Sequence, residues 1–142
     1  MDHTLVPHDA TGRAESDTTL FTGEHLRKGT IELLKDLGQT HELWIYTTSF
    51  RSQWMLKVSF WLKGVKIKRV INEQDHDNMI RHYTFNMRPS KYPKHFGIDV
   101  HVDDSVGVLE EGNAFGFKVI QIDPLDPEWT TTIRNRLNDI GI

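Results

Sequence analysis

From residue 24 to its end this chain alternates helical stripes with short apolar runs, and that alternation limits the folds open to it. Residues 24–37 carry Leu26, Ile31, Leu33, Leu34 and Leu37 as a helical stripe that Gly38 stops. Leu43, Trp44, Ile45 and Tyr46 then form a run that suits a buried strand. Ser49 can cap the apolar helix of residues 54–62, which ends at Gly64. Residues 65–71 set Val65, Ile67, Val70 and Ile71 against lysines and predict a strand near a sheet edge. Strand 98–102, helix 105–115 and strand 117–122 follow, then a last helix with Asp126 as cap and Pro127 in its first turn. The polar residues up to 22, broken by Pro7 and Gly12, read as loop, and residues 72–90, which lack a clean period, as an irregular excursion. This order predicts one domain over residues 1–142, a three-layer α/β/α arrangement with a mainly parallel sheet.

Composition removes several classes of function. A net charge of −3 argues against a general binder of nucleic acid or acidic membranes, because phosphate contacts need a basic face. With no cysteine there is no disulfide, thiolate metal site or cysteine nucleophile. No apolar run approaches membrane-spanning length and no signal-peptide core opens the chain, so a cytoplasmic location is expected.

Chemistry-bearing residues gather at the ends of the expected strands. Asp103 and Asp104 close the strand Ile98, Asp99, Val100, His101, Val102. Adjacent like charges repel, and a divalent cation or a bound proton relieves the repulsion. Ligands of open α/β sheets bind at the carboxyl ends of strands. A helix cap at Asp104 or Ser105 explains one aspartate and not both. Tyr46 is followed by Thr47, Thr48 and Ser49. There a hydroxyl and the amides opening the next helix can hold phosphate oxygens, or the residues can be a plain cap. Lys91 and Lys94 lie shortly before the aspartate strand, as phosphate-neutralising cations or as ordinary surface lysines. Asp99 and His101 read as a buried polar pair or as solvent-facing, and not as ligands. Asp75, His76 and Asp77, with His82, lack a ligand spacing and read as a solvated loop. Trp44, Trp54, Trp61 and Trp129 read as core.

A threonine ending one strand, then a lysine, then an apolar strand ending in paired aspartates resembles the haloacid dehalogenase-like (HAD-like) superfamily. The resemblance runs from Met1 to about Asp123. Thr47 matches the second motif, Lys91 the third, with Lys94 as fallback, and Asp103 with Asp104 the fourth. Met1, Asp2, His3, Thr4 and Leu5 resemble the first motif, Asp-x-Asp-x-Thr, from its second position onward. The resemblance implies a Rossmann-like sheet and magnesium-dependent hydrolysis of a phosphate ester in two steps through an aspartyl-phosphate. It assigns Asp2 as acid and base, Thr47, Thr48 and Lys91 as phosphate-binding residues, and Asp2, Asp103 and Asp104 as Mg2+ ligands. The substrate would be a phosphorylated small molecule or protein; nucleic acid and membrane are not expected as partners, and homo-oligomerisation stays open.

In that scheme the nucleophilic aspartate falls immediately before Met1. The strand leading to it, central in the family between the strands ending here at Thr47 and Asp103, is missing from the sequence. The expectation is therefore a sheet that lacks or replaces its first central strand, and a chain that as written has no turnover. Residues 8–22 form a short loop insertion, and with the excursion 72–90 they do not amount to a full cap domain. A bacterial receiver domain fits less well, since it needs a phosphoacceptor aspartate, threonine and lysine after the acid pair. The alternative of a different class is a non-catalytic binding or regulatory module on the same fold.

Overall fold

The computed structural model describes residues 1, 4–7 and 16–142. A bulged antiparallel hairpin, β1 (Ser16–Thr19) and β2 (His25–Arg27), leads into helix α1 (Thr30–Leu37). Two strand–helix–strand units carry most of the rest. In the first, β3 (Leu43–Tyr46) and β4 (Ile67–Ile71) pair in parallel across α2 (Gln53–Leu62), with Ile45 opposite Val70 and Tyr46 opposite Ile71. In the second, β5 (Val100–Asp103) and β6 (Lys118–Gln121) pair in parallel across α4 (Val106–Phe115), with Val102 opposite Ile120 and Asp103 opposite Gln121. Parallel neighbours need a long crossover, and a helix supplies it. Helix α3 (Glu73–Ile80) and a 3-10 turn (Pro93–Phe96) lie between the units, and α5 (Trp129–Asp139) closes the chain. The domain is thus mixed α/β with parallel pairing. Among the described residues the strands form three separate pairs rather than one continuous sheet.

Helix α1 ties the two units together. Its Leu34 packs in one apolar cluster with Ile45, Leu56, Phe60, Val65, Ile67 and Val70. Its Leu33 packs in the other with Ile120, Ile122, Trp129, Ile133 and Leu137. Full burial of a Leu, Ile or Phe side chain stabilises by about 1.5–3 kcal/mol, so adjacent leucines on one helix hold both units. Entry to α1 is tight: Gly29 sits at φ 81°, and a Cβ there would meet Thr130 Cγ2 at 3.1 Å. The Thr30 hydroxyl donates to the Arg27 carbonyl at 2.6 Å. Trp129 fixes the far end of the contact, donating through Nε1 to Lys28 O at 3.0 Å with Arg27 stacked over its ring at 4.8 Å.

Several local expectations are corrected. The polar residues before 22 include strand β1, paired with β2, although residues 8–15 lie outside the described set. The helix expected from residue 24 starts at Thr30, because His25–Arg27 is used as a strand. Ser52, not Ser49, caps α2, its hydroxyl accepting from Met55 N at 3.4 Å. The excursion 72–90 begins as a helix, since Asn72 Oδ1 accepts from Asp75 N at 3.2 Å and starts α3. Asp126 lies just outside α5, where its carboxylate accepts from Glu128 N and the Thr132 hydroxyl. Of the tryptophans only Trp129 is fully buried. Trp54 and Trp61 are 71% and 69% exposed, for α2 is apolar all round and one face meets β4 while these two look outward.

Candidate active site at the strand ends

The carboxyl end of β5 holds a compact polar cluster. Asp103 is buried at 2% exposure, and both its oxygens are engaged. Oδ2 accepts from Lys91 Nζ at 2.5 Å and from His101 Nε2 at 3.0 Å, while Oδ1 accepts from Ser105 N at 3.0 Å. Burial alone would raise this carboxyl. The His101 hydrogen bond, the Lys91 charge and the Ser105 amide outweigh it and hold the group well below the usual carboxylate range. His101 moves below its ordinary 6.5: burial and the nearby Lys91 charge lower it, against the opposing bond to Asp103. It therefore donates as a neutral imidazole. Strand alternation explains the contact, since residues 101 and 103 point to the same face of β5.

Asp104 differs from its neighbour. It is partly exposed, and its Oδ1 accepts from the Thr4 hydroxyl at 2.8 Å. Thr4 is buried, in the turn where Leu5 N donates to Met1 O at 2.9 Å. Met1 is buried too, with its α-amino group 3.5 Å from the Tyr46 carbonyl at the end of β3. One N-terminal turn thus touches the ends of both β3 and β5.

At the end of β3, Thr47 is 1% exposed. Its hydroxyl lies 2.9 Å from Ser49 Oγ, and Arg51 reaches both, at 3.4 Å to Thr47 and 2.7 Å to Ser49. Arg51 is held in turn by Glu24, with Nε and Nη2 both on Oε1 at 2.7 and 2.6 Å. Thr48 is exposed beside them. Tyr46 connects this group to the β5 cluster. Its ring meets His101 edge-on at 5.7 Å, and its hydroxyl accepts from the amide of Tyr92, the residue after Lys91, at 3.2 Å. The hydroxyl is also 2.6 Å from His76 Nδ1. Burial raises the Tyr46 phenol far above its usual value, so it stays a protonated donor to His76.

The structure therefore brings Lys91 to Asp103, sets Asp104 beside it, and places Thr47 one residue beyond Tyr46. Lys94 is exposed and lies near Gly116 rather than near the acids. Asp2 is outside the described residues. His76, expected in a solvated loop, is buried on α3 against Tyr46, while Asp99 faces solvent. Sequence reading missed Arg51, the cation nearest Thr47, and the structural use of His101. The alternation of His101 with Asp103 was a usable signal; for Arg51 there was none.

Among the described residues no group of three or more acidic or histidine side chains is placed to hold a metal ion. Asp103 is a poor direct ligand, being saturated by donors and neutralised by a lysine. Asp104 has one oxygen taken by Thr4 and can offer the other to a hard cation such as Mg2+, which takes oxygen ligands and keeps several waters. No helix among the described residues is long and apolar enough to cross a membrane. No family model, curated protein or solved structure matches this chain.

Proposed function

We propose that this chain carries the phosphoryl- and magnesium-binding face of a HAD-like phosphate-ester hydrolase, on a three-layer Rossmann-like frame. The observation that carries the reading is the pairing of Lys91 with Asp103 at the end of β5, directly beside the half-satisfied Asp104. In phosphoryl transfer charge spreads over the non-bridging oxygens, so fixed cations and donors do most of the work. The Lys91 ammonium has three N–H donors and spends one on Asp103, which leaves donors for phosphate oxygens. Thr47, with Arg51 and Ser49 at its hydroxyl, offers a second set of donors, and Thr48 can add its own. Asp104, with Asp2, would hold Mg2+, which when bound neutralises phosphoryl charge; Asp103 acts by fixing Lys91.

In this scheme a carboxylate joined ahead of Met1 attacks phosphorus, the bond to the leaving oxygen breaks, and Asp2 gives that oxygen a proton. Water then attacks the aspartyl-phosphate, loses a proton to Asp2 and releases phosphate. The 142 residues alone bind phosphate and do not turn over. The substrate is a phosphorylated small molecule or protein, and the setting is cytoplasmic.

The test is a titration of the 142-residue chain with inorganic phosphate and Mg2+, followed by residue-resolved NMR. Shifts are expected at Thr47, Lys91 and Asp104, and Thr47→Val should weaken them. Joining a carboxylate-bearing apolar strand ahead of Met1 should give Mg2+-dependent hydrolysis of p-nitrophenyl phosphate, lost when Asp103 and Asp104 are both changed to Asn. If phosphate leaves those residues unmoved, the reading falls. The second reading, a non-catalytic binding module, is favoured by the closed coordination of Asp103, and it gains if the Lys91–Asp103 pair ignores phosphate.

A further inference from the structure

The net charge of −3 is an average over an uneven chain. Residues 43–72 carry six of its 17 lysines and arginines and none of its 20 acidic residues. Helix α2 lies in the middle of this stretch and packs one face on β4, burying Leu56, Ser59 and Phe60. Trp54, Val58 and Trp61, at helical spacings, fall on the opposite face. Both tryptophans are mostly exposed, and Met55 and Leu62 are exposed beside them. Single apolar residues on a surface are ordinary, but two tryptophans on one face of a ten-residue helix make a patch. Lysines border it. Lys57, between the two tryptophans, is exposed, and its Nζ donates to the Lys68 carbonyl at 3.1 Å. Lys63 is the cap residue at the carboxyl end of α2, and Lys66 follows in the turn to β4. Among the described residues none of Lys57, Lys63 and Lys66 is paired with a carboxylate.

We propose that this face of α2 docks reversibly on an anionic lipid surface, with Trp54 and Trp61 seated at the headgroup level and Lys57, Lys63 and Lys66 against the lipid anions. Charge and area select this occupant. The patch is bordered by cations, and no acidic residue lies within the stretch that carries it, which complements an anionic surface. Its area is small. Ten residues at about 1.5 Å rise, on a helix about 10 Å wide, present about 150 Å². A stable protein interface needs about 800 Å² per partner, so a second copy of this chain is poorly held there. A lipid surface sets no such threshold, because tryptophan settles at the headgroup boundary and affinity grows with apolar area and positive charge together. Val58, Leu62 and Met55 suit acyl chains and cannot stack on bases, which favours lipid over single-stranded nucleic acid. Each lysine near an anionic surface adds about fivefold in affinity, so three give about a hundredfold. The helix lies along the surface, being far shorter than the roughly 20 residues needed to span it. None of these side chains belongs to the phosphate reading, so the two stand or fall separately.

The experiment is cosedimentation of the 142-residue chain with phosphatidylcholine vesicles, with and without phosphatidylserine. Phosphatidylserine should tighten binding by about tenfold or more, and high salt should reverse the gain. Vesicles with brominated acyl chains should quench the tryptophan fluorescence of the bound protein. Trp54→Gln together with Trp61→Gln, both at exposed positions, should leave Tm nearly unchanged and lose binding and quenching. Lys57→Gln, Lys63→Gln and Lys66→Gln together should keep the fold and cut the preference for phosphatidylserine by about tenfold or more. Failure of the parent chain to bind phosphatidylserine vesicles overturns the proposal, and so does binding that survives the paired tryptophan substitution. A dimer in sedimentation equilibrium that the same substitution breaks also overturns it, by giving the face to a second copy. Tighter binding of polyuridylate than of phosphatidylserine vesicles overturns it in favour of nucleic acid.

Discussion

Replacing Lys91 with Met tests the centre of the site. The substitution keeps most of the side-chain volume and removes the charge that faces Asp103 at 2.5 Å, with the two side chains only 12% and 3% exposed. Removing one partner of a buried pair typically costs 3–5 kcal/mol, because the other charge is left in a low-dielectric site. Asp103 keeps the His101 and Ser105 hydrogen bonds, which places the expected loss near the bottom of that range, about 3 kcal/mol. For a chain of this size that lowers Tm by roughly 10 °C. The pH dependence follows from sign. The folded carboxyl is depressed below its ordinary 3.8, so its stabilisation is present above that value and lost as pH falls towards the folded one. Urea unfolding should therefore show a gap between parent and Lys91→Met that is constant near neutrality and shrinks below pH 4. Adding Asp103→Asn should recover much of the loss, since no unpaired charge then remains. A loss under about 1 kcal/mol, or a gap unchanged down to pH 3, would refute a buried pair.

Tyr46→Phe strips the hydroxyl shared by His76 and the Tyr92 amide, and chemical unfolding should show a loss of about 1–3 kcal/mol. Gly112→Ala would push a Cβ to 2.7 Å from Val119 Cγ2 and 2.8 Å from Phe117 O, separating α4 from β6. A drop of about 1–3 kcal/mol is expected by thermal melting, and a neutral result would mean the helix has room to move. Burial lowers His76 and His101 below 6.5, so the unfolded chain binds protons there that the folded chain does not. Stability should fall as pH drops below 6.5, by up to about 1.4 kcal/mol per pH unit for each histidine; a flat urea midpoint from pH 7.5 to 5.5 would contradict this.

What could be read in the sequence was whatever apolar patterning alone decides. Strands β3 and β6 and helices α2 and α4 fall where their runs predict, because a run such as Leu43–Tyr46 has no other way to leave water. Helix α3 escaped because only His76, Met79 and Ile80 are buried in it, too few to trace a period; Asn72 with its side-chain cap was the remaining signal. Strand β1 escaped because Ser16–Thr19 has no apolar residue, and the hairpin partner rather than hydrophobicity makes it a strand. Trp54 and Trp61 misled for the opposite reason, since apolar residues all round a helix do not say which face is covered. At the site, Lys91 before the Asp103–Asp104 pair was legible as order along the chain. Thr4 was legible only as part of the first-motif match and not as the partner of Asp104, and Tyr46 was not legible as a site residue, because both act through contacts distant in sequence.

Two adjacent aspartates looked, in the sequence, like a repulsion in need of a cation, and the structure answers that need with a lysine. Lys91, His101 and the Ser105 amide saturate Asp103, while Asp104 turns outward to a single hydroxyl. The pair is thus unequal. Asp103 is an anchor whose charge is cancelled within the protein, and only Asp104 retains an oxygen to offer. The Asp104 end of this division rests on the N-terminus. Thr4 holds Asp104, and Met1, three residues earlier, meets the Tyr46 carbonyl at the end of β3. Thr4 therefore sets the carboxylate of the pair that keeps an oxygen for chemistry. Thr4→Val, which removes that hydroxyl from Asp104, should therefore shift the NMR signals of Asp104 and Ser105 before any ligand is added, and unmoved signals would refute the contact.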